Sequence, residues 1–168
     1  MTIGPRAILI SGSLNAGKTT AARILARRLR RAAHVEVDAL RAFVSWMPLS
    51  ECLPLNLANA AAVARNFLAA GLHVILDYPL SQEDHDGLVA ALADCAEAVD
   101  TFVLSPPLEV ALRDRGERRL NEWERARVRA LYEERIHRPG FGVTVDTSEL
   151  TPDQTVDEIL AHLGLSSR

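Results

Sequence analysis

Gly12-Ser13-Leu14-Asn15-Ala16-Gly17-Lys18-Thr19 carries two glycines, a lysine and a hydroxyl at the spacing G-x-x-x-x-G-K-[ST]. Glycines let a backbone fold into a nest whose N–H groups point at phosphate oxygens. An amphipathic stretch begins at Lys18, with Ala22, Leu25, Ala26 and Leu29 at helical spacing, so the positive end of a helix dipole faces the same point. Lys18 supplies a compact ammonium for β- and γ-phosphates, and the Thr19 hydroxyl suits Mg²⁺. Residues 12–19 together with Thr20 are the expected ATP-binding run. Of the 19 basic residues, 18 are arginine, and the single lysine is Lys18. A planar guanidinium would not fit the cradle that an ammonium fills. A dinucleotide loop is excluded, because G-x-G-x-x-G needs glycine where Leu14 stands.

Two carboxylates follow apolar runs. Asp38 comes after His34-Val35-Glu36-Val37, and Asp77 after Leu72-His73-Val74-Ile75-Leu76. Ligands of open α/β sheets bind beyond the carboxyl ends of the strands. Asp38 there could take a proton from a hydroxyl, or serve as the cap of the next helix. Asp77 could hold Mg²⁺ through water, orient the phosphate loop, or act as a turn residue. Residues 113–138 hold nine arginines interleaved with six acids, and most of these read as a solvated face with mixed pairing. The five histidines lack zinc spacing, so a histidine metal site is not expected. Phe43, Trp46 and Met47 read as core rather than pocket. Arg65 reads as an exposed helix-face residue.

The elements that must position these groups alternate. Strands are expected at 7–11, 34–37, 72–76, 99–104 and 142–146. Helices are expected at 18–31, 38–47, 56–70 (stopped by Gly71), 81–94 (capped by Ser81), 106–113, 122–136 and 151–163. Pro48 and Pro54 place a loop at 48–55. Alternation of this kind gives an α/β fold with a parallel sheet and helices on both faces. The 168 residues suit one domain spanning 1–168. With 48% hydrophobic residues, disorder is excluded as the main state. No apolar run approaches a membrane span, and no signal-peptide h-region is present. A net charge of −3 argues against a nucleic-acid partner. Cys52 and Cys95 share no metal or redox spacing, which fits a cytoplasmic location.

With these residues in place, the chain resembles the P-loop kinases of the nucleoside-monophosphate-kinase and shikimate-kinase type. Val37, Asp38, Leu40, Met47 and Pro48 are similar to the Val-Asp-x-Leu and Met-Pro of chloramphenicol-phosphotransferase-like small-molecule kinases. The resemblance implies a five-stranded sheet of order 2-3-1-4-5 with a short lid at about 114–121, hinged at Gly116. That order puts Asp77 near the metal and Asp38 farther out, on the acceptor side. It also implies that Arg113 stacks on adenine, that Arg118 or Arg119 closes over the transferring phosphate, and that Arg135 reaches the active site. The implied activity is transfer of the ATP γ-phosphoryl group to a hydroxyl of a small molecule, a metabolite or an antibiotic. A polynucleotide 5′-hydroxyl kinase and a non-catalytic nucleotide-binding switch are the alternatives.

Overall fold

The computed structural model describes residues 4–114 and 119–165. Five strands form one parallel sheet: β1 Ala7–Gly12, β2 Ala32–Glu36, β3 His73–Asp77, β4 Val99–Leu104 and β5 Val143–Val145. Their order is β2-β3-β1-β4-β5, with β1 central. The helices are α1 Lys18–Arg28, α2 Leu49–Ala69, α3 Gln82–Leu92, α4 Leu108–Ala111, α5 Glu122–Glu133 and α6 Pro152–Leu163, with a 3₁₀ helix at Val37–Val44.

Side chains alternate across a strand, and that period of two sorts the core into two layers. Ala7 and Leu9 of β1 face one way, with Val74 and Leu76 of β3, and pack against Ala60, Ala64 and Leu68 of α2 and Leu88 and Leu92 of α3. Ile8 and Ile10 face the other way, with Ile75 and Phe102, against Ala22 and Leu25 of α1 and Val156 and Ile159 of α6. Leu25 is wholly buried in this second layer. Leu25→Ala should lower the unfolding free energy by about 3 kcal/mol, as large-to-small core changes do. Urea unfolding checks this, and a loss below about 1 kcal/mol would mean the layer closes over the gap.

Three helix signals in the sequence act as read. Ser81 Oγ accepts from Asp84 N–H in a capping box at the start of α3, and Thr151 does the same with Gln154 at α6. Gly71, at φ 75°, ends α2: its N–H reaches Leu68 O at 2.9 Å, and Leu72 N–H reaches Phe67 O at 3.0 Å.

Other expectations are corrected. The 48–55 stretch is not a loop but the first turns of α2, because Pro48 sits at the cap and Pro54 lies inside the helix. Pro54 forfeits one bond to the carbonyl of Ser50, which a 21-residue helix with a buried face tolerates. The expected helix at 38–47 is a 3₁₀ helix that starts at Val37. Phe43 and Trp46 are not core; they are 83% and 79% exposed. Of the expected lid, Gly116 and Arg118 lie outside the described residues. Among the described residues no helix is long and apolar enough to cross a membrane.

Candidate active site

The phosphate loop joins the central strand to α1. Gly12, at φ 136°, lies where a Cβ would meet Leu104 O of β4 at 2.5 Å, so no other residue fits there. Gly17 takes φ 93° and Asn15 φ 62°, which bends the loop over the start of α1. Lys18 is 8% exposed and its Nζ donates to Ser13 O at 2.8 Å, across the loop. Buried Ser11 Oγ accepts from Leu80 N–H at 3.0 Å, and Tyr78 N–H reaches Ile10 O at 3.2 Å. The segment after β3 is thereby fixed to the strand that carries the loop.

Asp77 is 3% exposed at the end of β3. Its Oδ2 accepts from Thr19 Oγ1 at 2.6 Å, and its Oδ1 lies 2.6 Å from His34 Nε2 of β2. His34 was not legible as a site residue, because only the β2–β3 pairing brings it to Asp77. Thr19 gives its proton to Asp77, which leaves its oxygen lone pairs for a hard cation. Thr19 with Asp77 behind it therefore fits Mg²⁺, with the carboxylate placed as a second-layer support.

Asp38 lies inside the first turn of the 3₁₀ helix. The residue before that helix is Glu36, and it makes no side-chain cap. The helix-cap alternative for Asp38 is therefore set aside. The residue is exposed, at the border of two clefts. Burial raises its pKa from the ordinary carboxylate value, Lys18 pulls it back down, and Asp77 pushes it up again. Among the described residues it makes no hydrogen bond.

Three clefts meet around these groups. The first, about 240 Å³, is walled by Ala16, Thr20, Leu104, Val110, Arg113, Thr147 and Leu150, a lining that is half polar and half apolar. It contains Arg113. The second, about 390 Å³, is lined by Leu14, Asn15, Gly17, Lys18, Thr19, Thr20, Glu36 and Asp38. The third, about 440 Å³, begins at the same Leu14 and Asp38 and runs outward past Arg41, Leu53, Tyr78, Asp84, Trp123, Arg127 and Leu131. Thr20 borders the first two clefts, and Asp38 borders the second and third. The cleft of the phosphate loop thus lies between the other two.

The arginines divide differently from the expectation. Arg135 does not share a cleft with Lys18 or Asp38. It is exposed beyond the end of α5, at φ 60°, in a recess with Leu80, Gln82 and Gly140 that adjoins the outer cleft at Ser81, Glu134 and Ile136. The chain leaves its α5 helix just before Arg135, which turns that side chain off the helix face. Arg127 takes the inward position instead, paired with Glu134 at 3.0 Å. The signal for it is present in the sequence, since Trp123, Arg127 and Leu131 recur every four residues and so share one helix face. Arg119 is exposed and lines none of the three clefts. Arg65 pairs with Asp94 and donates to Ala91 O at 2.7 Å, which joins α2 to α3. Tyr78, which follows Asp77, was also missed. Its hydroxyl proton is held to a pKa of about 12 by burial and by Asp38 and Asp84.

No protein-family model matches the chain, and no curated protein matches it in sequence. Solved structures do match. A sugar kinase from Janibacter aligns at TM-score 0.70 and 20% identity, over 96% of this chain and 95% of that one. The tunicamycin resistance protein of Deinococcus radiodurans aligns at 0.64 and 25% identity, over 97% and 98%. The APS kinase of Mycobacterium tuberculosis, in complex with AMPPNP and APS, aligns at 0.72 and 18% identity, over 97% and 99%. A parallel sheet in the order β2-β3-β1-β4-β5, with the phosphate loop at its centre, is thus the fold of the P-loop small-molecule kinases.

Proposed function

We propose that the chain is an ATP-dependent phosphotransferase that moves the γ-phosphoryl group to a hydroxyl of a small molecule. The observation that carries this is Asp38, a carboxylate with no hydrogen-bond partner among the described residues, at the border of the phosphate cleft and the outer cleft. A nucleotide switch has no use for a base at that border.

In this reading the adenine lies in the cleft of Arg113 and the triphosphate lies on residues 12–19, with Lys18 at the β- and γ-phosphates. Thr19, supported by Asp77, would hold Mg²⁺, which would supply positive charge to the phosphate oxygens. Asp38 takes the proton of the acceptor hydroxyl as its oxygen bonds to the γ-phosphorus, and the bond from that phosphorus to the β–γ bridging oxygen breaks to release ADP. Arg119 remains the candidate for the charge that closes over the transferring group, as does Arg118 outside the described residues. The two free cysteines, one buried and one half-buried, fit a reducing cytoplasm.

The outer cleft describes the acceptor. Its apolar side is Leu49, Leu53, Leu131, Ile136 and Trp123, and its polar side is Asp38, Arg41, Tyr78 and Asp84. Arg127 is neutralised by Glu134, and Asp84 is engaged with Ser81 Oγ at 2.7 Å. Such walls favour an amphiphilic alcohol over a highly charged acceptor. Trp123 is 65% exposed although it lines the cleft, a position that offers its ring to a ligand. Trp123→Ala should raise the acceptor KM about tenfold with the ATP KM unchanged, an effect of the size expected for a lost ring contact. Equal KM values for wild type and variant would remove Trp123 from the acceptor site.

A screen of hydroxyl-bearing metabolites and antibiotics, read by mass spectrometry, tests the function. An ATP-dependent gain of one phosphoryl mass on a small alcohol supports it. Phosphorylation only of a 5′-hydroxyl oligonucleotide in the same screen would favour the polynucleotide-kinase alternative. ATP binding with no acceptor anywhere in the screen would favour the switch.

A further inference from the structure

Asn15 occupies the left-handed region at the fourth position of the phosphate loop, and its side chain reaches the end of α4. Its Nδ2 donates to Ala111 O at 2.8 Å and to Arg113 O at 3.0 Å, almost a hundred residues along the chain. Both amide hydrogens are therefore committed to the end of α4. That helix is four residues long, so its last carbonyls have no partners inside it. The remaining carbonyl of the three, Leu112 O, accepts from Arg125 at 2.7 Å. Arg125 also holds Asp114 at 2.8 Å, and Asp114 Oδ1 in turn accepts from Leu120 N–H at 3.0 Å. Three successive carbonyls are thus held by side chains from two directions, the phosphate loop and α5.

The backbone held in this way is the wall of the base cleft. Val110, Arg113 and Asp114 line it on one side, and Ala16 and Gly17 of the phosphate loop line it on the other. We propose that Asn15 is a positioning residue that couples the two halves of the nucleotide site, by fixing the α4 end that places Arg113 against the base. Residue type supports this. Asparagine tolerates the left-handed backbone and still offers two donors. Glycine would keep the turn and lose the donors. A β-branched side chain would strain the turn.

The proposal deepens the nucleotide reading given above and rests on it. The test compares two ligands by calorimetry, Mg·ATP and Mg·tripolyphosphate, because only the first has a base. Wild type should bind both. Asn15→Gly keeps the loop conformation and removes both hydrogen bonds. It should weaken ATP about tenfold, the scale of two modest net hydrogen bonds, and leave tripolyphosphate within about twofold. Arg113→Ala should produce the same selective loss, and the double variant should lose no more than the larger single one, because both act through one contact. Equal weakening of both ligands, or no change in either, overturns the coupling and leaves Asn15 as a structural tie. A fall in Tm without a change in the ratio of the two affinities overturns it as well. A wild type that binds neither ligand would sink the nucleotide reading itself, and the coupling with it.

Discussion

Lys18→Ala is expected to abolish phosphoryl transfer, lowering the rate by at least ~10³-fold, the upper range for removing one donor that stabilises transition-state charge. The position itself makes the case. Lys18 is the only lysine in the chain, it begins α1, and it is nearly buried against the phosphate loop. In phosphoryl transfer the protein contributes mainly position and charge, so removal of the cation facing the β- and γ-phosphates removes most of that contribution. The fold should survive. Ser13 O, which accepts from Lys18, also accepts from Ala16 N–H at 3.3 Å and is not left without a donor. Lys18→Arg should fail nearly as badly, since the fork is wider than the cradle. The check is steady-state transfer with the acceptor found by the screen, beside a thermal melt of each variant. Turnover near the wild-type value in a folded alanine variant would remove the phosphate loop from the chemistry.

Asp38→Asn should lower transfer by ~10²-fold or more while ATP affinity stays nearly unchanged, the usual scale for a positioned acid–base group. The substitution is close to isosteric, and no capping bond depends on Asp38, so a loss of rate cannot be charged to the helix. The carboxylate must be ionised to accept the hydroxyl proton. Burial favours its neutral form, and Lys18 only partly offsets this. The pKa therefore lies above the ordinary carboxylate value. The wild-type rate should fall as pH drops through that raised pKa, and the γ-phosphate charge of bound ATP moves the fall still higher. The asparagine variant should lose this acid limb along with its rate. Turnover within about twofold of wild type, with the limb intact, would move the search for the base to Asp77.

Much of this site is local in the chain and was legible there. The phosphate loop is one unbroken stretch, because a nest of N–H groups needs consecutive residues. The apolar runs fixed the strands, and Ser81, Thr151 and Gly71 marked helix ends, because capping is decided by a few neighbours. Pro54 misled, because a local penalty gave way to the burial of a whole helix face.

The rest depends on residues far apart in sequence. Sheet order is set by which strands find each other, and strand periodicity does not encode it. That order brings His34 to Asp77 and puts Glu36 in register with Asp77, with Asp38 two residues beyond it. Which cleft Arg127 and Arg135 each line turns on where α5 ends, two residues before the positive φ of Arg135. Asn15 reaches Ala111 and Arg113 only because β1 and β4 lie side by side, with Gly12 opposite Leu104. Sequence alone determined the phosphate loop and the apolar layers that support it. The tertiary structure decided which distant side chains share a cleft, because side-chain contact is a matter of distance in space and the pattern records only distance along the chain.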